Sequence, residues 1–516
     1  MNRFFSASLA LAALVFAAAP QAQQPPENPA LAPAFAEVDR ILTQFTADRH
    51  VPGAAWGIIV DGQLAHLATR GFRDVDARAP VDGDSVFRIA SMTKSFTVIS
   101  ILKLRDEGKL SLDDPAEKYV PEMAGMKYAT SDAPKITIRH LLSHAEGFPE
   151  DNPWGDRQLA DTDEQLSQML RRGIPFSNAP GLVYEYSNLG FAILGRIVTN
   201  VSKVPYTQYV AANILRPLGM SSTTLEPAEV AANRLAHGYR WEDERWKDEP
   251  LLKNGSFGSM GGMLTSVRDL SRYVGVFLSA WPPHDGPETA PIKRSSLREM
   301  QHLWSPVPSS VTRNAAGAIQ LTSGGYGYGL HVTQNCALKT IVSHTGGLPG
   351  FGSIMTWLPD YGVGLVAFGN LTYTGWTGAA TSALEALVAT GNMRPRQPLP
   401  SPALTELRDK VSRLVVAWDD RVADSIAAEN LFLDTSKDRR RAEIERLRST
   451  VGACTAGSGF DTVENALRGS WTVSCEKGKL EVSITLAPTQ PPTVQFLNVR
   501  PAPATPVRAE ACTASQ

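Results

Sequence analysis

Cysteine is scarce in this 516-residue chain. Four are present, at 336, 454, 475 and 512, and no pair has the CxxC spacing of a zinc ribbon or a redox centre. An excess of one charge is also missing. Fifty Lys and Arg stand against 52 Asp and Glu, a net charge of −2, which gives nucleic acid or an anionic membrane little to hold. The Arg-rich run 437–448 carries acids among its bases and reads as a solvated helix face. No serine has glycine two residues away on both sides, which excludes the Gly-x-Ser-x-Gly elbow of an α/β-hydrolase. His140 and His144 lie four apart, but Leu141 stands where HExxH needs Glu. They read as structural, and neither a metal nor an organic cofactor is expected.

Beyond the N-terminus no apolar run is long enough to span a bilayer. Arg3, the apolar stretch Phe4–Ala19 and the Gln- and Pro-containing segment from Pro20 have the order of a cleaved secretory peptide. The stretch is shorter than the ~20 residues of a spanning helix. Residues 1–22 are therefore read as a signal peptide, cleaved between Ala19 and Gln24, and the mature chain as secreted or periplasmic without a membrane span. An exported chain can hold disulfides, and four cysteines allow three complete pairings. Cys454 with Cys475 is the preferred pair because both lie in one small C-terminal unit, with free thiols as the alternative.

At 43% hydrophobic residues, the chain can bury a large core in more than one unit. Phe35–Arg49 reads as an amphipathic helix. Ala54–Val60 and Gln63–Arg70 read as strands joined by the hairpin dipeptide Asp61-Gly62. Strand signals return far downstream at Tyr326–Thr333, Lys339–Ser343, Phe351–Leu358 and Val363–Asn370. Between the groups the patterns are helical. Met92, Phe96, Ile99 and Leu102 mark one helix stopped by Gly108, and Ile138–Leu142, Asp163–Arg172, Leu189–Val201, Tyr206–Ile214 and Val267–Phe277 mark others. The pattern predicts an α/β chain of the α+β type, an antiparallel sheet built from both sequence ends of a domain at 35–391, flanked by helices and with an all-helical region. A Pro-rich linker follows at 392–402, then a small α+β unit at 403–516, helical over Leu404–Leu433 with strands at Gly469–Leu486 and Thr493–Val499.

Three short motifs carry chemistry. Ser-x-x-Lys occurs at Ser91/Lys94, Ser100/Lys103 and Ser474/Lys477, but only Ser91 opens a helix after an extended segment. Backbone N–H groups there favour developing negative charge, and Lys94 falls one turn on, on the same face. A buried lysine with a lowered pKa can accept the serine proton. Tyr186-Ser187-Asn188 follows a turn and precedes a helix; a tyrosine depressed by a cation can shuttle a proton, and Asn188 can bind an amide. His344-Thr345-Gly346-Gly347 ends a strand signal, where glycines let a substrate approach the sheet edge and the Gly347 N–H can complete an oxyanion hole. Trp154, Tyr326 and Tyr328 are candidate pocket walls or simply core aromatics.

In this order the motifs resemble the penicillin-recognising serine hydrolases: class C β-lactamases, DD-carboxypeptidases, D-aminopeptidases and related esterases. Thr137–His144, Pro217–Met220 and Gly261–Ser266 are similar to the same family, and the resemblance covers roughly residues 35 to 385. It implies a β-lactamase/transpeptidase-like fold, Ser91 as acylated nucleophile and Lys94 with Tyr186 as the proton-transfer pair. Asn188 would hold an acyl-side amide, and His344 and Thr345 a substrate carboxylate. The N–H groups of Ser91 and Gly347 would bind the oxyanion, with Gly346 beside them. His344 stands where a permanent cation would favour β-lactams, and histidine is only partly charged near neutral pH.

The expectation is a hydrolase of amide or ester bonds acting on a small-molecule or peptide substrate, D-amino-acid peptides and small esters among them. A class C-like β-lactamase is one alternative. A non-catalytic receptor for D-Ala-like ligands or antibiotics, or a platform acting through the C-terminal unit, is another. The sequence sets no oligomeric state.

Overall fold

A computed structural model describes residues 29–502, apart from 314–316, 318 and 458. The leader assigned to residues 1–22 and Cys512 lie outside the described residues. Among these, nine strands form one antiparallel sheet. In spatial order they are Ala79–Pro80, Gln63–Asp74, Gly53–Val60, Val363–Gly369, Phe351–Leu358, Lys339–Leu348, His331–Asn335, Ile319–Tyr326 and Ser305–Arg313. The sheet thus joins the two sequence ends of the region 35–391, as the strand signals predict. Asp61 and Gly62 both take positive φ, 48° and 81°, which is the hairpin geometry that this dipeptide favours.

Alternation along Gly53–Val60 explains the layers. Ala54, Trp56 and Ile58 face a core closed by helices Ala32–Asp48 and Thr377–Ala389. Ala55 and Ile59 face a second core, shared with helices Thr93–Asp106 and Val267–Ser279. Gly57 lies on that second face because a side chain there would meet Val267 Cγ1 at 2.7 Å. Helix Thr93–Asp106 is buried on nearly every side from Thr93 to Leu102, which places it at the centre of the molecule rather than on its surface.

Three features differ from the sequence expectation. The strand expected over Tyr326–Thr333 is two strands separated by a turn in which Gly327 N–H donates to Leu330 O. The strand at Lys339 runs past Ser343 to Leu348, so His344-Thr345-Gly346-Gly347 lies inside it, not in a turn. Its outer neighbour His331–Asn335 reaches only the Lys339–Ser343 part of it, so among the described residues no strand pairs with the outer edge of His344–Leu348. Unforeseen are the outer hairpin Ser305–Arg313/Ile319–Tyr326, the hairpin Gly238–Glu242/Arg245–Glu249 and the helix Thr377–Ala389.

Residues beyond Pro402 pack their own core of Leu404, Val411, Trp471, Leu480, Val482 and Ile484. Helices and a five-stranded antiparallel sheet surround it. Cys454 and Cys475 form a disulfide across paired strands, as preferred from sequence, and Cys336 is also disulfide-bonded. The Arg-rich run lies in helix Lys437–Val451, which buries Ile444, Leu447 and Val451 and pairs Arg446 with Glu443 at its surface. In the segment 392–402, Arg396 donates to Leu278 O and Trp281 O, while Gln397 bonds Asp461 O and Val463 N. No helix among the described residues is long and apolar enough to cross a membrane.

Candidate active site

Ser91 sits in a 3-10 turn, Ala90–Met92, that leads into helix Thr93–Asp106. The preceding Ala90 has φ 49°, a left-handed conformation that costs a residue with a Cβ roughly 1–2 kcal/mol. Surrounding bonds hold it there. Ile89 N–H donates to Met263 O at 3.0 Å, and Ile89 O accepts from Ser353 Oγ at 2.9 Å. Thr93 Oγ1 donates to Ala90 O at 2.7 Å and accepts from Met263 N at 3.1 Å. Gly346 presses on the same bend: a Cβ there would lie 2.1 Å from Ile89 O.

Lys94 is fully buried. Its Nζ donates to Ser91 Oγ at 3.0 Å, to Asn188 Oδ1 at 2.7 Å and to Met260 O at 3.0 Å. Burial lowers its pKa to about 7, against the opposing pull of Asp156 and Asp151. The amine lies 4.7 Å from the centre of the Tyr186 ring. Burial pushes the Tyr186 phenol well above its usual value, and its hydrogen bond with Ser91 only partly offsets this. The depressed tyrosine considered from sequence is therefore not what the fold builds: Tyr186 is a neutral phenol beside a weakened lysine.

Asn188 begins helix Asn188–Ser202, with Ser187 as its N-cap accepting from Gly190 N. Asp151 accepts from the N–H groups of Asn188 and Leu189 at 2.6 and 2.9 Å, where the helix end favours negative charge. Asn188 is buried behind Ser91 with its carbonyl occupied by Lys94. Asn152, not Asn188, lines the adjoining cavity. His144 Nδ1 accepts from Ser187 N at 3.1 Å and its ring stands 4.3 Å from that of Tyr186. His140 Nδ1 accepts from Thr137 N in a capping box. Both histidines thus have structural work.

The cavity beside Ser91 has a volume of about 400 Å³ and includes Tyr186, His344, Thr345, Gly346 and Gly347 in its wall. The structure thus brings the three sequence motifs together. Asn152, Asp156, Tyr184, His331 and Tyr373 also line it, and the sequence offered no periodic signal for these residues. His344 is 1% exposed. Its Nδ1 bonds Thr345 O at 2.6 Å and its Nε2 bonds the Tyr326 hydroxyl at 2.9 Å. Burial, with His331 and Lys94 nearby, holds its pKa well below the usual histidine value, and burial lowers that of His331 to about 4. Both rings are neutral near pH 7, so His344 carries no charge for a substrate carboxylate.

Other candidates lie elsewhere. Ser100 Oγ donates back to Phe96 O, and Ser474 belongs to the C-terminal sheet. Trp154 is exposed against Phe257, and Tyr328 stacks on Trp304 at 4.8 Å. A larger hollow of about 950 Å³, between Pro121–Lys127 and Leu170–Pro175, contains none of the motif residues.

Comparison with known proteins agrees with this architecture. Residues 38–390 match the family model described as Beta-lactamase. Protein flp of Staphylococcus aureus (strain MW2) is 30% identical over 341 residues, covering 65% of this chain and 63% of that protein. The chain thus spans just under two thirds of the length of this curated relative. Beta-lactamase-like protein 2 of Dictyostelium discoideum is 32% identical over 268 residues, 49% of this chain and 47% of that protein. Among solved structures, the octameric penicillin-binding protein homologue from Pyrococcus abyssi superposes with a TM-score of 0.59 at 23% identity, covering 90% of each chain. A class C beta-lactamase mutant superposes with a TM-score of 0.55 at 18% identity, covering 69% of this chain and 97% of that one. These two likenesses are of fold. With its family match running through both the Ser91 and the His344 segments, the chain belongs to the beta-lactamase family, whose members are of the serine hydrolase type.

Proposed function

We propose that the protein hydrolyses ester or amide bonds through an acyl-Ser91 intermediate. One observation carries the reading: an amine lowered to about 7 lies 3.0 Å from a serine hydroxyl at the wall of an open cavity. Neutral Lys94 takes the Ser91 proton as Oγ attacks the carbonyl carbon, and the N–H groups of Ser91 and Gly347 receive the oxyanion. The bond to the leaving oxygen or nitrogen then breaks. Tyr186 gives its proton to that atom and regains one from the Lys94 ammonium. Water, deprotonated by the same pair, attacks the acyl carbon, releases the acid and returns the proton to Ser91.

Neutral His344 weighs against β-lactams as good substrates, since their carboxylate finds no cation on this wall. A receptor without turnover has no use for a lowered lysine on its serine. The N-terminal leader makes export to the periplasm or medium part of the proposal.

Mass spectrometry of the intact protein tests it. Exposure to p-nitrophenyl acetate should give a transient acetyl adduct on Ser91 with steady release of product, absent in Ser91→Ala. Benzylpenicillin should give at most a slow adduct. Rapid penicillin turnover would replace this reading with a β-lactamase, and ester hydrolysis undiminished in Ser91→Ala would remove the acyl-serine mechanism.

A further inference from the structure

Among the described residues the cavity wall contains no lysine or arginine, its two histidines are held neutral, and its single carboxylate is Asp156. Asp156 follows the short turn Asn152–Gly155 on the helical side and is 2% exposed. Its Oδ2 accepts from the Tyr373 hydroxyl at 3.0 Å, and its Oδ1 has no hydrogen-bond partner among the described residues. Tyr373 comes from the opposite, sheet side and lies against Gly347, where an added Cβ would meet its ring at 2.8 Å. The Asp156–Tyr373 bond therefore crosses the cleft beside the place proposed for the oxyanion.

A buried carboxylate oxygen without a donor is costly, and proteins rarely leave one so. Lys94 does not meet this need, because its hydrogen bonds go to Ser91, Asn188 and Met260. A donor that arrives with the substrate would, and a cationic one would gain most.

We infer that Asp156, held by Tyr373, is a specificity-determining residue that binds a primary ammonium group on the substrate close to the scissile carbonyl. The inference rests on the acyl-serine reading and narrows its substrate class to amine-bearing esters and amides, of which amino-acyl esters and amides are the simplest. A group with a carboxylate in that place meets like charge. One with a blocked amine leaves Oδ1 unpaired.

The test compares kcat/KM for alanine benzyl ester and N-acetylalanine benzyl ester, each as both enantiomers, at pH 7.5. The intact protein is measured beside Asp156→Asn and Tyr373→Phe. The free amine should be preferred by about tenfold or more in at least one enantiomer. Asp156→Asn should shrink that ratio by a similar factor, and Tyr373→Phe by less. A ratio at or below one in the unaltered protein would overturn the inference. So would an equal loss on both esters in Asp156→Asn, because the carboxylate would then act through Lys94. If Asp156→Asn does not fold, the change of ratio in Tyr373→Phe decides. Ser91-dependent hydrolysis of p-nitrophenyl acetate, run alongside, separates failure of this inference from failure of the hydrolase reading.

Discussion

The Tyr326 hydroxyl donates to His344 Nε2 across 2.9 Å, and His344 Nδ1 is bonded to Thr345 O. Burial, with His331 and Lys94 nearby, keeps this ring from collecting a proton near neutrality. The titrating base beside Ser91 is instead Lys94, whose pKa is lowered to about 7. For a neutral ester such as p-nitrophenyl acetate, kcat/KM should rise with pH through about 7 as that amine loses its proton. A rate that falls over this range would contradict the assignment.

Lys94→Arg keeps a cation but loses the base, since a guanidinium stays protonated. Ester hydrolysis should drop by about 10²–10⁴-fold. Added small amines offer a second readout, because partial rescue would show that the missing function is proton acceptance.

Gly346→Ala should weaken both fold and activity. Its Cβ would meet Ile89 O at 2.1 Å and Ser353 Oγ at 2.3 Å, so the bend before Ser91 must move off the sheet. Overpacking of this kind costs about 1–3 kcal/mol, measurable by urea unfolding, with a larger fractional loss in kcat than the stability change alone explains.

Glu146 gives stability a pH signature. It is fully buried, and burial raises its pKa well above the usual value, with a bond to its own backbone N–H only partly offsetting this. In the unfolded chain it ionises near 4.3. Between these two values the folded state binds the extra proton, so stability falls as pH rises through that window. Glu146→Gln removes the proton exchange. Its melting temperature should gain on the unaltered protein from pH 5 to pH 8, and a gain in the opposite direction would refute the buried neutral acid.

The Cys454–Cys475 bridge closes a separation of 21 residues. Replacing both by alanine should cost about 3 kcal/mol, read as earlier unfolding of the core around Trp471. Ester hydrolysis at 25 °C should persist, because that core shares no residue with the cavity beside Ser91.

The sequence made the centre of the site legible because helix geometry is local. Ser91 and Lys94 are three apart at a helix start, and the cap at Ser187 announces where Tyr186 must stand. The charge of His344 was not legible, since burial beside Tyr326 and His331 depends on two other strands. Asp156 and Tyr373 lie in loops, where no periodicity ties a residue to a partner 217 positions away. The outer hairpin escaped notice for a different reason: Pro306, Pro308 and the Gly324-Gly325 pair interrupt the alternation that marks a strand. Gly327 and Gly329, just beyond them, divide what looked like one strand from Tyr326 to Thr333.

The left-handed Ala90 sets how the site should fail. Its bend is imposed by Met263, Ser353 and Thr93 rather than chosen by the residue itself, so the nucleophile resembles a sprung catch more than a fixed post. Warming that loosens those three holds lets the catch relax while the surrounding helices and sheet are still intact. Catalysis should therefore fade several degrees before the heat-absorption peak of unfolding, and return on cooling.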